Sequence, residues 1–502
     1  MENILFFPIW THFQPHFETD LEIMVNEVKN VNKAYFIFCN KFFKICDNNI
    51  QLEKYKCKQC IKAKKKALEL INNENIYIVN LNKYQECKID VINMIKTIDE
   101  LNNINDLKKL KYKSNFIGYS IASSLEKEID IYPFETLKPK INNLYYSSII
   151  FYECILKIID DFSISKGYIF NGRFCLSRAF YQAFIDKNLN IFTHDRGSTQ
   201  YKYSLYKNKL PHDINEFSKY VINYWEENND INYKKQCADI FFKSRFIGSD
   251  TSFFSFTSDQ NINRIPLEIN KYKKIIAIYC SSDYEFDYIS DDYTYKYYLS
   301  QNDGIKNIVT SLKNDDDIGI FLREHPNQKN KMNFQRDELR NISAKNFYII
   351  PAESDISSYK LLLNANVVIT FNSTMGIEAT YWGIPSILCS NAIYENLNIS
   401  YIPASHEEVI SLIKSDLKPI ISDDVLKYGY YSGTFGIKFK YYKPLNFANG
   451  LFINTFLLHN NNLFYFLKKI FSKIKFFIKF HLYKFYKILK YLNNIFKIKR
   501  YK

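Results

Sequence analysis

The chain has 502 residues, a formal net charge of +14 at pH 7 and ten cysteines. Its length predicts two or three domains with ample core, which excludes a small fold held together by disulfides. The cysteines are scattered, several of them in predicted core strands, as is typical of reduced thiols in a cytoplasmic protein. No uncharged apolar run approaches the length needed to span a bilayer.

The first hundred residues alternate between strands and helices. Strands are predicted at 4–9, 34–39 and 76–79, and helices at 20–29, 57–71 and 89–101. Such alternation indicates parallel βαβ units. His16 and Glu18 lie in the loop after the first strand, and open parallel sheets bind ligands beyond the carboxyl ends of their strands.

A helical insertion and two further strands with polar ends come next. The insertion is predicted at about 104–165, the strands at 167–170 and 189–193, and more helices between 214 and 246. Asn171 and Arg173 directly follow the first of these strands, and Asp195 and Arg196 follow the second. Both strand ends therefore place polar and charged groups where a cleft is expected.

A second α/β unit follows a linker rich in Ser and Asn. Its strands are predicted at 273–280, 318–323, 347–350 and 366–371, with helices between them. This order indicates a Rossmann-like, nucleotide-binding half. The predicted organisation is an N-terminal domain at 1–255, a linker at 256–272, a C-terminal domain at 273–435, a crossover segment at 436–460 and a tail at 461–502.

The tail differs from the rest of the chain. Residues 461–502 contain 12 Lys and Arg and no Asp or Glu, so the remaining chain is nearly neutral. Apolar residues recur every three or four positions from Ile470 to Ile495, and nearly all lysines fall outside that stripe. We expect an amphipathic helix that binds an anionic membrane surface. Nucleic-acid binding leaves the stripe unexplained, and an oligomer-forming helix is a third possibility.

Polar residues at the strand ends of the second unit form a candidate phosphate site. Arg323 and the pair His325-Pro326 end one strand, and Asn372-Ser373-Thr374 end another, directly before a helix predicted from about Met375. Hydroxyl and N–H donors beside a cation are what a nucleotide phosphate requires. Alone, each motif is an ordinary turn or helix cap. Their recurrence at successive strand ends of one sheet favours a nucleotide pocket, with Glu378 one helical turn further on.

The second half resembles the GT-B glycosyltransferases of bacterial surface-polysaccharide synthesis. The matching segments are SSDYEF (281–286), LREHPN (322–327) and the long string from Ser354 to Ile387. The resemblance is to capsule-type Kdo transferases and, more distantly, to bacterial sialyltransferases and CDP-glycerol transferases. In the first half, FNGRFCLSRA (170–179) and THDRGS (193–198) are similar to a capsule-biosynthesis subgroup, many of whose members have Glu in place of Asp195. The tail is not covered.

The resemblance implies two Rossmann-like domains that face a cleft, and it implies roles for single residues. In CMP-sugar enzymes of this kind, a His-Pro pair contacts the nucleotide and a Ser-Ser or Ser-Thr pair holds the donor phosphate. Those roles pass to His325, Pro326, Ser373 and Thr374. The remaining expected donor-site residues are Ser281, Ser282, Glu285, Arg323, Asn372 and Glu378.

Asp195 is the first candidate for the catalytic base, because a carboxylate at a strand end can deprotonate an acceptor hydroxyl. An equally weighted alternative is that it forms a structural pair with Arg196 or Arg173 in a rigid turn. His16 and Glu18 are less favoured candidates for catalysis. Asn171, Arg173 and Arg196 are expected to bind the acceptor.

The pair Cys57 and Cys60 has the spacing of half a zinc site. Its partners would have to be distant, such as Cys39, Cys46 or Cys87, and no second pair has suitable spacing. Coincidence in a Lys-rich helix is the favoured interpretation. We therefore expect neither a metal nor a bound cofactor.

The sequence thus predicts a metal-independent glycosyltransferase. Its donor is expected to be a nucleotide sugar, most plausibly a CMP-activated ulosonic acid such as Kdo, and its acceptor a capsule glycan or glycolipid. We expect a cytoplasmic protein that lies peripherally on the inner face of the membrane, without a nucleic-acid partner. The alternatives are a CDP-glycerol-type phosphotransferase and a non-catalytic membrane or nucleic-acid binding protein.

Overall fold

The computed structural model describes residues 1–87, 98–129, 131–249, 255–281, 284–329 and 334–458. Residues Met1–Thr455 form one compact unit, and a second unit begins at Phe456. The predicted tail at 461–502 and most of the predicted helix at 89–101 lie outside the described residues. We call residues 1–249 the first half, 255–435 the second half and 436–455 the crossover segment.

The first half is built on a seven-stranded sheet with spatial order β12-β6-β5-β4-β1-β2-β3. Strands β1 to β5 are parallel, whereas β6 and β12 pair antiparallel at one edge. The strands are β1 (Asn3–Phe6), β2 (Lys33–Phe38), β3 (Ile76–Asn80), β4 (Lys166–Phe170), β5 (Asn190–Arg196), β6 (Lys202–Lys207) and β12 (Ile437–Lys438).

Helices of the first half connect these strands and cover the sheet. They are α1 (His16–Lys29), α2 (Lys54–Ile71), α3 (Ile104–Lys108), α4 (Ile117–Ser124), α5 (Glu126–Ile129), α6 (Phe134–Asp161), α7 (Cys175–Asp186), α8 (Ile214–Glu226) and α9 (Ile231–Phe246). Ile4, Leu5 and Phe6 of β1 are fully buried, as expected for a central strand with both faces covered.

The second half contains a five-stranded parallel sheet with order β11-β10-β7-β8-β9. Its strands are β7 (Lys274–Tyr279), β8 (Ile318–Arg323), β9 (Phe347–Ile350), β10 (Val367–Thr370) and β11 (Ser386–Leu388). Its helices are α10 (Tyr284–Asp287), α11 (Gln301–Leu312), α12 (Phe334–Arg340), α13 (Ser358–Leu363), α14 (Met375–Tyr381), α15 (His406–Lys414) and α16 (Asp424–Thr434).

Both sheets share one strand order. In chain order it is 3-2-1-4-5 in each half, the order of the mononucleotide-binding fold. The predicted pair of Rossmann-like units is therefore confirmed. In such sheets ligands bind beyond the carboxyl ends of the two central strands, here β1 and β4 in the first half and β7 and β10 in the second.

Two predicted boundaries were wrong in ways that affect candidate residues. Helix α1 begins at His16 rather than near Asp20, so His16 and Glu18 lie in its first turn and not in a loop. Strand β5 extends to Arg196 because it pairs with β6, which places Asp195 opposite Ser204 within the sheet. The pairing of β5 with β6 is a contact between strands, and the apolar pattern of residues 189–193 alone does not predict it.

The crossover segment returns from the second half to the first. Strand β12 pairs with β6, with Ile437 opposite Tyr203. Beyond it, strands β13 (Tyr442–Asn446) and β14 (Asn449–Phe452) form a hairpin. The buried carboxylate of Glu22 on α1 accepts the backbone N–H groups of Lys440, Tyr441 and Tyr442 at 2.7, 2.8 and 3.1 Å. Together with the pairing of β12 and β6, this side chain fixes the crossover segment to the first half.

Across the residues that the structure describes, none of the helices is both long and apolar enough to cross a membrane.

Replacing Glu22 with Ala should strongly destabilise the protein. The change removes the carboxylate that accepts three hydrogen bonds and leaves three backbone N–H groups without an acceptor. The free energy of unfolding should fall by about 3 kcal/mol or more. Urea unfolding measures this difference. Glu69→Ala, at an exposed position of α2, is the matched control and should change stability little. Equal stability of the two variants would contradict the role of Glu22.

Candidate active site

A cavity of about 240 Å³ lies beyond the carboxyl ends of β7, β8 and β10. Five of the predicted donor-site residues line it: Arg323, His325, Pro326, Ser373 and Thr374. Residues from the end of α9 and from the segment after it complete the wall, including Arg245, Ser255 and Phe256. The cavity therefore lies where the strand order predicts a ligand.

The turn after β10 brings two hydroxyl groups to the cavity. Val367 to Thr370 are buried, so the strand is fixed in the core up to the turn. The hydroxyl of Tyr394 donates to the carbonyl of Ser373 at 2.9 Å. A Cβ atom at Gly376 would lie 2.6 Å from that same hydroxyl, so the close approach requires glycine. Helix α14 has only seven residues, so the main hydrogen-bond donors at this turn are the hydroxyls of Ser373 and Thr374 rather than the N-terminus of the helix.

Arg245 on α9 supplies a cation that the sequence analysis missed. Its guanidinium contacts the Oε1 atom of Glu378 through Nε at 2.9 Å and Nη2 at 2.8 Å, and Nη2 lies 3.4 Å from the Thr374 hydroxyl. Burial opposes the charged form, but Glu378 outweighs burial and raises the pKa of Arg245. The arginine therefore stays cationic beside the cavity.

Glu378 has a different place from the one expected. It is 1% exposed, accepts a hydrogen bond from the Tyr359 hydroxyl as well as those from Arg245, and is not one of the residues that line the cavity. Its contacts are those of a residue that positions Arg245 and Tyr359. Both of those residues line the cavity.

Arg323 lines the cavity but is already engaged by the protein. It is 1% exposed and donates to the carbonyls of Pro351 and Ser354 at 2.6 and 3.1 Å. Burial lowers the pKa of Arg323 to about 10, which still leaves it charged at neutral pH. Its contacts stabilise the loop between β9 and α13.

His325 is oriented by its own turn. Its Nδ1 atom accepts the backbone N–H of Asn327 at 3.2 Å, and its ring lies edge-on to Phe256 with 5.4 Å between ring centroids. With Nδ1 as acceptor, the neutral ring carries its proton on Nε2, which makes Nε2 a donor. Pro326 begins the short turn Pro326–Gln328 that holds this geometry.

The other predicted donor residues are placed less directly. Ser281 is buried, and its N–H and hydroxyl both contact Gln301 Oε1, at 2.8 and 3.2 Å. Asn372 is buried, and its Oδ1 atom has no hydrogen-bond partner among the described residues. Ser282 lies outside the described residues, and the side chain of Glu285 is not described.

A second polar cluster lies at the carboxyl ends of β4 and β5 in the first half. Asn171 Nδ2 donates to Asp195 Oδ2 at 2.7 Å, and the Arg196 N–H donates to Oδ1 at 2.7 Å. His212, which precedes α8, has its Nε2 atom 3.1 Å from Asn171 Nδ2 and 4.0 Å from Asp195 Oδ2. The ring of His16 stacks on Phe170 at 3.8 Å.

This cluster keeps Asp195 ionised and its histidines neutral at neutral pH. Burial would raise the pKa of Asp195, but His16, His212, the Arg196 N–H and Asn171 together hold it below its usual range. Burial lowers the pKa of His16 to about 3 and that of His212 to about 4. Asp195 is therefore an ionised carboxylate beside two neutral imidazole rings. In this state the carboxylate can accept a proton.

The expected acceptor-site arginines have structural contacts as well. Arg173 pairs with Glu126 at 2.9 Å. The guanidinium of Arg196 donates to the carbonyls of Gln14 and Phe447, the latter in the crossover segment, at 2.7 and 3.1 Å. Both the catalytic and the structural interpretation of Asp195 remain predictions.

The loop after β7 reaches from the second half to the Asp195 cluster. The Tyr293 hydroxyl donates to the His212 carbonyl at 2.7 Å, and Arg178 on α7 contacts the Ile289 carbonyl at 3.4 Å. The carboxyl-end edge of the second sheet is therefore joined to the same side of the first half that carries Asp195. This connection is the basis for treating the two clusters as parts of one site.

Comparison with known proteins returned likenesses in fold. No family model matches the chain, and no curated protein matches it. Two of the solved structures that match it are KpsC proteins of Thermosulfurimonas dismutans, described as a beta Kdo 2,4 transferase and a beta Kdo 2,7 transferase. They are 11% and 13% identical to this chain, with TM-scores of 0.36 and 0.33, and the matches cover 53% and 55% of this chain and 79% and 80% of theirs.

A third match is the UDP-GlcNAc 2-epimerase of Neisseria meningitidis, at 10% identity and a TM-score of 0.24, covering 94% of this chain and 100% of that one.

Replacing Glu18 with Gln should make stability less sensitive to pH. Burial raises the pKa of Glu18 from 4.5 to about 8, so between these values the unfolded state ionises while the folded state stays protonated. The wild type therefore loses stability as pH rises through this window. Gln cannot ionise, so the variant should gain roughly 2 kcal/mol or more on the wild type between pH 4.5 and pH 8.

Chemical unfolding at the two pH values tests this expectation, with the exposed Glu69→Gln as the control. A stability difference between Glu18→Gln and the wild type that does not change with pH would contradict it.

Proposed function

We propose that the protein is a glycosyltransferase that moves a sugar from a nucleotide donor to a capsule or other surface-glycan acceptor. The favoured donor is a CMP-activated ulosonic acid such as Kdo. The observation that carries the proposal is the cavity at the strand ends of the second sheet, where Arg245, His325, Ser373 and Thr374 meet. A cation, two hydroxyls and an imidazole donor are the groups that bind a nucleotide phosphate.

In this proposal the second half holds the leaving group. The Ser373 and Thr374 hydroxyls donate to the phosphate, and Arg245 balances the negative charge that grows there as the bond to the sugar breaks. His325 contacts the nucleotide through Nε2. These positive and donor groups take the place of a divalent cation, which supports a reaction without a catalytic metal.

The first half supplies the base. As the acceptor oxygen bonds to the anomeric carbon, Asp195 takes the hydroxyl proton and the nucleotide leaves with the bonding electrons on its phosphate. A low pKa makes Asp195 a weak base, but it is ionised in every molecule at neutral pH. Asn171 and the Arg196 N–H keep the carboxylate oriented through hydrogen bonds of 2.7 Å each.

CMP should bind the cavity, and His325→Ala should weaken that binding roughly tenfold by removing one hydrogen bond to the nucleotide. Thermal shift and calorimetry with CMP, CDP and UDP measure the effect. His406→Ala is the matched control, because His406 contacts Tyr298 and Ser311 away from the cavity. Failure of all three nucleotides to bind the wild type would refute the enzyme proposal and favour a non-catalytic binding protein.

Asp195→Asn should lower turnover at least 100-fold while leaving CMP affinity unchanged, because it removes only the proton acceptor. The exposed Asp160→Asn should leave turnover unchanged. Turnover should not rise on addition of Mg²⁺ or Mn²⁺. The mass added to the acceptor identifies the reaction, since a gain of glycerol phosphate instead of a sugar would establish the phosphotransferase alternative. Undiminished turnover of Asp195→Asn would show that its role is structural.

The tail at 461–502 is proposed to hold the enzyme on an anionic membrane, through about 1 kcal/mol per lysine near the surface plus apolar insertion. Deleting it should abolish co-sedimentation with vesicles that contain anionic lipid, but spare turnover of a soluble acceptor. Neutral vesicles are the control for the full chain. Continued vesicle binding by the shortened protein would remove this role from the tail.

A further inference from the structure

Four cysteines that are far apart in the sequence meet around one small cavity in the first half. The cavity has a volume of about 40 Å³ and is lined by Cys39, Cys46, Cys57 and Cys60. All four are half-buried free thiols. Space of this size takes one ion or very few water molecules. The fold thus brings Cys39 and Cys46, two of the distant partners considered in the sequence, next to Cys57 and Cys60.

The chain is shaped to present these sulfurs. Cys39 directly follows β2, and the next two residues, Asn40 and Lys41, both have left-handed backbone conformations, with φ of 48° and 64°. This costly turn is closed by the Phe42 N–H, which donates to the Cys39 carbonyl at 2.9 Å.

Helix α2 supplies the other pair of sulfurs. Cys57 and Cys60 are three residues apart, so they lie on the same face of the helix near its N-terminus. Asn49, in the loop between Cys46 and α2, donates through Nδ2 to the Cys57 sulfur at 3.4 Å. Two cysteines therefore come from a turn after a strand and two from the start of a helix.

A buried lysine adds positive charge beside the cavity. Lys64 also lines the cavity and is 2% exposed. Its ammonium group donates to the Ile37 carbonyl at 3.3 Å, lies near the rings of Phe7, Phe36 and Phe38, and interacts electrostatically with the buried carboxyl of Asp20. A buried cation is stabilised by a nearby negative group, and four thiolates around a divalent ion carry a net charge of that sign.

We propose that Cys39, Cys46, Cys57 and Cys60 bind one Zn²⁺ ion as a structural site. Four thiolates in a tetrahedral arrangement are a common structural zinc set. Each sulfur gives up its proton to solvent as it binds. In the present side-chain positions, no group of three or more His, Cys, Asp or Glu among the described residues is arranged around a metal. Binding therefore requires rotation about χ1, which moves a cysteine sulfur by ~3 Å between rotamers.

The ion would tie β2 to α2 and fix the loop between them. That loop reaches the rest of the first half through Asp47, which accepts the Ser124 hydroxyl and the Leu176 N–H at 2.8 and 2.9 Å. Its role is structural, so this proposal does not depend on the proposed sugar transfer or on whether that transfer needs a metal.

The test is the metal content of the full-length protein, expressed with added Zn²⁺ and purified without chelators. Elemental analysis should find about one Zn²⁺ per chain. Cys57→Ser and Cys60→Ser should each reduce that content at least tenfold. Cys87→Ser is the matched control, a half-buried thiol outside the cavity, and should retain the ion.

A second measurement avoids the risk that a variant misfolds. Wild-type protein loaded with Co²⁺ should show the intense visible bands of a tetrahedral thiolate site together with charge-transfer absorption. Wild-type protein without bound zinc and without these bands overturns the proposal. So does the finding that the four cysteines form disulfides, or that Cys87→Ser loses zinc to the same extent as Cys60→Ser.

Discussion

The contact between Arg245 and Glu378 organises the candidate donor site. The two residues are 133 positions apart and belong to helices of different halves, yet their side chains meet at 2.8 Å beside the turn of Ser373 and Thr374. Glu378 is buried and also holds Tyr359. A buried carboxylate requires a partner of opposite charge, so the position of α9 against the second half is tied to the wall of the cavity. The contact that holds the halves together and the proposed phosphate binding thus depend on the same cation.

The two polar clusters are set up for different chemistry. Around the cavity, arginines and hydroxyls favour negative charge on a ligand. Around Asp195, burial keeps two histidines neutral while hydrogen bonds keep the carboxylate ionised. Separation of an anion-binding wall from a proton-accepting group is what a transfer reaction with an anionic leaving group needs.

The sequence predicted what is local and missed what is distant. Strands β8 and β9 were placed to the residue, and Ser373, Thr374 and His325 were found because a strand followed by a polar turn is visible in a short stretch. Arg245 and His212 were missed because nothing in the residues beside them indicates their partners. Cys39 and Cys46 lacked a recognisable spacing, and it is the packing of α2 beside β2 that places them around the same cavity as Cys57 and Cys60.

The return of the chain to the first half limits how the two halves can move relative to each other. The polypeptide passes between the halves twice, once between α9 and β7 and once between α16 and β12, and Glu22 fixes the second passage to α1. The two connecting segments define a possible hinge axis between the halves. Rotation of the halves about that axis leaves both passages unbroken, but it separates Arg245 from Glu378 and Tyr293 from His212.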